Sequence, residues 1–393
     1  MTPAARVQGA IEILDLVIGA ARNNGPPADR IVADWFRTRR FAGSKDRRAI
    51  RELAYSAIRG CGDIPVTGRA AMLRLAQDDT SLRTLFDGSG YGPAPIIPDE
   101  PVASSGIAPD WIMDRLRASG IEGDEARALL ERAPLDVRVN TLKSSTDNLE
   151  LPMQGEPAPA PNALRFQAGT PVEQWDAFKA GLIEVQDAGS QLACRALDAR
   201  PGETVIDLCA GAGGKTLALA AAMENKGRLI ASDTDRGRLS RLGPRAARAG
   251  ASLAETVLLN PGHELEALSE FSGTADAVLV DAPCSGTGTW RRNPESRWRM
   301  NLPQLERYAE VQARLLDIAA QLVRPGGRLV YIVCSMLDEE GKGQIDAFVA
   351  RRTGWSAETP ELPAGIARGK GIRLSPLRDG TDGFFIARLS RAC

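Results

Sequence analysis

From about residue 196 the chain alternates short, uninterrupted apolar runs with longer amphipathic ones, and few folds accept that pattern. ETVIDLCA, RLIASD, ETVLLN, DAVLVDAPC and GRLVYIVCS read as strands buried on both faces, since apolar residues follow one another without the polar alternation of a half-exposed strand. KTLALAAAM and RGRLSRLGPRAARAG between them read as helices. LPQLERYAEVQARLLDIAAQLV does too, with Leu305, Tyr308, Val311, Leu315, Ile318 and Leu322 on one face. The alternation predicts an α/β domain over 196–393, a doubly wound, mainly parallel Rossmann-like sheet. Such sheets bind ligands beyond the C-terminal ends of their strands. Asp207, Asp233 and two cysteines, Cys284 and Cys334, fall at such ends.

The first section, 1–130, reads as all-helical. Val7, Ala10, Ile11, Leu14, Ile18 and Ala21 recur at three- and four-residue steps until NNGPP breaks the pattern. SKDRRAIRELAYSAIR predicts a second helix with Ser44 as its N-cap. GSGYGPAPIIPDEP is a Gly/Pro-rich connector, and two short helices come after it. Residues 134–195 hold the strand-like RVNTLK and a proline-rich passage, too little apolar pattern to stand alone. This small α+β section is expected to pack against the α/β domain C-terminal to it.

Composition narrows the function classes. No stretch approaches the eighteen or so apolar residues of a membrane span, and Glu12 and Asp15 interrupt the apolar start, so a cytoplasmic protein without membrane partners is expected. The six cysteines form no C-x-x-C pair and His263 is the only histidine, which argues against a metal site. Disulfides are not expected in such a chain, so the cysteines read as free thiols. The net charge is −1, yet residues 1–60 carry eleven basic against six acidic side chains. A solvated helix face explains that surplus of five; a phosphate-binding surface is the sharper reading.

DLCAGAGGKT follows a strand and opens a helix, the place where glycines let a backbone approach a ligand. A phosphate-cradling P-loop would need glycine at Cys209, and a dinucleotide fingerprint would need it at Thr216. The loop points to a nucleoside cofactor, with S-adenosylmethionine, which needs the tight turn but no pyrophosphate site, favoured. Asp233, at the end of the next strand, can accept ribose hydroxyls or cap the helix after it.

Either cysteine alone would read as packing. Two at the ends of neighbouring strands, with Asp281 three residues before the first, suggest chemistry, and nearby helix N-termini and arginines are expected to lower their pKa values. Carbon 5 of a pyrimidine is too weak a nucleophile to take a methyl group unaided. A thiolate added to C6 makes it an enamine carbon, a carboxyl group such as Asp281 stabilises the adduct, and a second thiol assists release.

RVNTLK, VQDAGSQL, DLCAGAGGKT, ASDTDRGRLSRL, DAPCSGTGTWRRNP, QARLLDIAAQLVRPGGRLVYIVCSMLDEE and DGFFIARL together resemble the Nop/Sun family of RNA cytosine-C5 methyltransferases, near its bacterial branch acting on small-subunit ribosomal RNA. The resemblance covers about 134 to the C-terminus. It implies Cys334 as nucleophile, Cys284 as the product-release cysteine, Asp281 on the target base and Lys215 against cofactor or target nucleotide. It implies that Cys209, Ala210, Gly211, Ala212, Gly213, Gly214, Lys215, Asp233 and Asp281 hold S-adenosylmethionine, with Asn260 where the family usually has an adenine-binding aspartate. Arg291, Arg292 and Asn293 would line the RNA entry. Besides Asn260, two further departures from the family pattern are Gly211-Ala212 for Ala-Pro and Val333 for the threonine before the nucleophile. KDRRAIRELAYSAIRG more faintly resembles a NusB-like RNA-binding domain. The expected partner is RNA, ribosomal before transfer RNA, bound by a monomer. An idle RNA-binding assembly factor is the rival from another class, and an NAD-linked dehydrogenase is disfavoured by the missing third glycine.

Overall fold

Val7, Ala10, Ile11, Leu14, Ile18 and Ala21 are all buried along one face of the helix Pro3–Arg22. Its N-cap Thr2 accepts the Ala5 N–H at 3.2 Å, satisfying one of the first-turn donors. This is a computed structural model describing residues 1–393, and its chain divides into two units. The helical unit comprises Met1–Glu131 and Thr289–Asn301; the α/β unit comprises Arg132–Gly288 and Leu302–Cys393.

In the helical unit, helices Pro3–Arg22, Ala28–Thr38, Ser44–Gly60 and Gly68–Asp78 enclose a core that includes Trp35, Phe36, Ile50 and Met72. Ser44 is not the N-cap: Gly43 takes that position without a side-chain bond, and Ser44 is the first helical residue. The Thr289–Asn301 segment joins this core through buried Trp298. Glu295 accepts the Ala28 N–H at 2.9 Å, at the start of one helix. Arg297, fully buried, donates to the carbonyls of Ile58 (2.6 Å) and Cys61 (2.7 Å), at the end of another. An anion at a helix N-terminus and a cation at a C-terminus complement the backbone dipoles. Arg291 is 6% exposed, so it lies among protein groups instead of on the open phosphate-binding loop expected for it.

The α/β unit has two sheets. The smaller runs Glu156–Pro157, Ala163–Phe166, Leu135–Val139, Ile183–Val185, all antiparallel, over a core of Val137, Phe166, Trp175 and Ile183. Helix Ala188–Ala196 shares the larger sheet's core, which is how this short section gains its support. The larger sheet has nine strands. Its parallel part runs Val323–Val333, Ala275–Asp281, Thr204–Leu208, Arg228–Asp233, Ala254–Leu258. Phe384–Arg391 adds antiparallel to Val323–Val333, then come Gly371–Leu374 and Ile366–Arg368, with Trp355–Glu358 also on Phe384–Arg391. The antiparallel end is the part that a mainly parallel reading did not contain. Successive strands lead outward from Thr204–Leu208 in one direction, and the chain then returns to Ala275–Asp281 on its other side. That reversal falls at the ends marked by Leu208 and Asp281, the place where doubly wound sheets bind ligands. No helix is long and apolar enough to cross a membrane.

Candidate active site

Past Leu208 the backbone turns sharply: Cys209 has φ +69°, Gly211 +57° and Gly213 +83°. These are left-handed conformations, free for glycine and strained for cysteine by about 1 kcal/mol or more. At Gly213 a Cβ would also lie 2.2 Å from Leu242 Cδ1, so only glycine fits there. Asp233 braces the turn, accepting the Gly211 N–H on one oxygen and the Asp235 N–H on the other, each at 2.7 Å. Each oxygen retains a second lone pair, which leaves Asp233 able to accept a ribose hydroxyl as well. Ala210 donates its N–H to the Ser232 carbonyl at 2.9 Å, and Arg245 donates to the Ala212 carbonyl at 2.8 Å. Helix Gly214–Ala222 then begins with no side-chain cap. Asn260 is exposed, two residues past the strand Ala254–Leu258, its carbonyl accepting the His263 N–H at 2.9 Å.

Asp207 is fully buried, and one oxygen accepts the Thr216 hydroxyl at 2.6 Å. Its other oxygen has no partner. Burial pushes this carboxyl up to about 7, against the pull of the Thr216 hydrogen bond. A buried carboxylate oxygen without a donor, beside a turn stripped of side chains at Gly211, Gly213 and Gly214, suits a ligand that carries an ammonium group. S-adenosylmethionine carries one, so these residues fit it. Asp207 was not among the cofactor residues read from sequence. Its signal was an acid placed inside an apolar strand, where an ionisable group needs a reason to be.

Lys215, in the first turn of the helix, donates to Asp281 at 2.6 Å, at the end of strand Ala275–Asp281. Burial disfavours the lysine's charge, but the Asp281 carboxylate and the neighbouring thiols outweigh it and raise its pKa. The two thiols meet: Cys284 Sγ and Cys334 Sγ are 3.3 Å apart, both half-buried and both free. Hydrogen bonding to Cys334, burial and the negative charge of Glu340 push the Cys284 thiol well above its ordinary range. The expected lowering is therefore reversed at Cys284. Cys209 is likewise pushed up by burial and by Asp233 and Asp281, and serves the turn. No group of three or more His, Cys, Asp or Glu side chains is arranged to hold a metal.

The sheet end thus brings together Lys215, Asp281, Cys284 and Cys334 around two thiols in contact, with the glycine turn, Asp207 and Asp233 forming a second cluster at the neighbouring strands. Residues 194–390 match the family model described as 16S rRNA methyltransferase RsmB/F. A ribosomal RNA small subunit methyltransferase B from Thermus thermophilus is 37% identical over 287 residues, covering 72% of this chain and 65% of that protein. One from Xylella fastidiosa is 36% identical over 301 residues, covering 74% and 70%. The chain thus spans about two thirds of the length of these relatives. Among solved structures, that of PH0851 superposes with a TM-score of 0.78 at 27% identity, covering 100% of this chain and 99% of that one. NSun6 from Pyrococcus horikoshii, solved with SFG, shares the fold with a TM-score of 0.61 at 22% identity, covering 71% and 97%. S-adenosylmethionine is the cofactor that goes with this fold and family. The match of residues 194–390 to the family model and the extent of identity with these relatives show that the chain belongs to the RsmB/F methyltransferase family.

Proposed function

We propose that the protein transfers a methyl group to C5 of a cytosine in small-subunit ribosomal RNA, through a covalent bond between Cys334 and C6 of the ring. The contact that carries this reading is the 3.3 Å separation of the Cys284 and Cys334 sulfurs, beside the Lys215–Asp281 pair. Asp207, Asp233 and the turn at 209–214 hold S-adenosylmethionine, which supplies an electrophilic methyl on a sulfonium.

The Cys334 thiolate forms an S–C6 bond, and the displaced electron pair makes C5 nucleophilic. Asp281 accepts from the exocyclic amino group at the base edge, and the Lys215 ammonium paired with it donates toward N3, where negative charge develops. After C5 has gained its methyl, the C5 proton leaves to solvent with help from Cys284. The electrons of that C–H bond re-form the ring double bond, and the S–C6 pair returns to Cys334 sulfur. One proton is released per turnover and the thiolate is regenerated. The target must be unstacked, because C6 is unreachable inside a helix.

The test is incorporation of labelled methyl into unmodified ribosomal RNA, with subsequent hydrolysis to nucleosides. Label in 5-methylcytidine supports the proposal. Label in another nucleoside, or RNA binding without transfer, overturns it.

A further inference from the structure

Glu340 is a fully buried carboxylate outside every role assigned above. One oxygen accepts the Ser285 N–H at 2.8 Å and the Gln312 side-chain amide at 3.1 Å. The other accepts the hydroxyls of Ser285 and Ser335, the latter at 2.6 Å. Ser285 directly follows Cys284, and Ser335 directly follows Cys334. Gln312, also fully buried, donates in addition to the carbonyl of Pro283 at 2.9 Å, the residue before Cys284. Tyr331 donates to the Glu340 carbonyl at 2.6 Å, which ties the carboxylate's own backbone to the strand Val323–Val333, directly before Cys334.

We propose that Glu340 is a positioning residue that clamps both cysteine loops and sets where the two thiols stand relative to each other. Each thiol otherwise rests on a separate loop after a separate strand. Four donors converge on one carboxylate, and three of them belong to Ser285 and Ser335, the residues next to the thiols. Ser285 N–H and the Gln312 amide can only donate, so the oxygen they share accepts from both, while the hydroxyls at the other oxygen can donate or accept. Burial raises this carboxyl's pKa, and the hydrogen bonds from Ser285, Ser335 and Gln312 oppose that rise. Thr287 completes the clamp, its hydroxyl 3.2 Å from Ser335 Oγ and accepting the Met336 N–H at 2.8 Å. A four-donor carboxylate is costlier to bury than a packed apolar side chain of similar size. A site kept at that cost at the junction of two reactive loops points to geometry as its purpose. The charge also bears on Cys284, where it opposes ionisation and so favours a protonated partner for Cys334.

The catalytic part of this inference rests on the proposed cytosine chemistry; the geometric part does not. The experiment uses the full chain with Glu340→Gln and, separately, Ser335→Ala. Without RNA, iodoacetamide alkylation of Cys284 and Cys334 is tracked by peptide mass spectrometry alongside thermal melting. Glu340→Gln keeps the volume but turns an acceptor into a donor facing two hydroxyls. It is expected to change the alkylation rates of both thiols several-fold in a chain that still melts cooperatively. Ser335→Ala is expected to change chiefly Cys334. In methyl transfer, Glu340→Gln is expected to lower kcat by about 10-fold or more while KM for RNA stays within about twofold, as misplacement of reacting groups does. Wild-type alkylation rates at both thiols in Glu340→Gln overturn the proposal. If Glu340→Gln does not fold, an unchanged Cys334 rate in Ser335→Ala overturns it. Altered alkylation in Glu340→Gln, with a wild-type protein that methylates no cytosine, leaves the clamp standing and removes the function instead.

Discussion

Asp207 has one oxygen on Thr216 and one without a partner, and burial holds its carboxyl near 7. Its folded pKa lies above the unfolded value of 3.8, so the stability it contributes is full below that value and is lost as pH rises through about 7. The ionised form is the one that attracts an ammonium group. Affinity for S-adenosylmethionine is therefore expected to rise as pH increases through about 7, measurable by calorimetry. Asp207→Asn should weaken binding and flatten that rise; an unchanged pH profile would remove Asp207 from the site. Cys284→Ala is expected to retain methyl transfer but stall release, leaving a protein–RNA band on a denaturing gel. Continued turnover without the band would contradict its role. At this scale the thiols and Asp281 were legible because their chemistry is rare at strand ends. Glu340 and Gln312 were not, because a clamp is visible only once two loops 50 residues apart are brought together.

Four of the parallel strands could be read from sequence because burial on both faces leaves continuous apolar runs, but Ala254–Leu258, expected to be buried as well, is the edge strand and is largely exposed. The antiparallel end could not: Ile366–Arg368 and Gly371–Leu374 are too short to show a period. RGRLSRLGPRAARAG, read as one helix, is two, Arg236–Leu239 and Leu242–Ala249. Pro244 lacks an N–H and its ring blocks the carbonyl four residues back, which explains the break. The glycine turn gives the clearest element-scale test. Gly213→Ala meets both a φ of +83° and Leu242. It is expected to destabilise the fold by roughly 1–3 kcal/mol and to reduce cofactor affinity at least as strongly as Asp207→Asn. Wild-type melting and binding would show that the turn tolerates a side chain.

For the molecule as a whole, a net charge of −1 conceals a basic first section, and Arg40, Lys45 and Arg48 lie on it. If that surface meets RNA, reversing all three to glutamate should weaken RNA binding and reduce the slope of log affinity against log salt. The reduction should be about 0.7 per lost phosphate contact, with cofactor affinity unchanged. An unaltered slope would leave the surplus a solvated face. Sequence could not show that Thr289–Asn301 supplies Glu295 and Arg297 to the helical unit, since the helix ends they meet lie 267 and 239 residues away. The central claim is the bond from Cys334 to C6, and a target RNA carrying 5-fluorocytosine tests it most directly. Fluorine cannot leave C5 as a proton does, so the adduct persists after methyl transfer. The expected result is a cofactor-dependent cross-link whose digested peptide contains Cys334. A cross-link on Cys284 alone, or methylation of ordinary RNA with no cross-link to the fluorinated one, would contradict it.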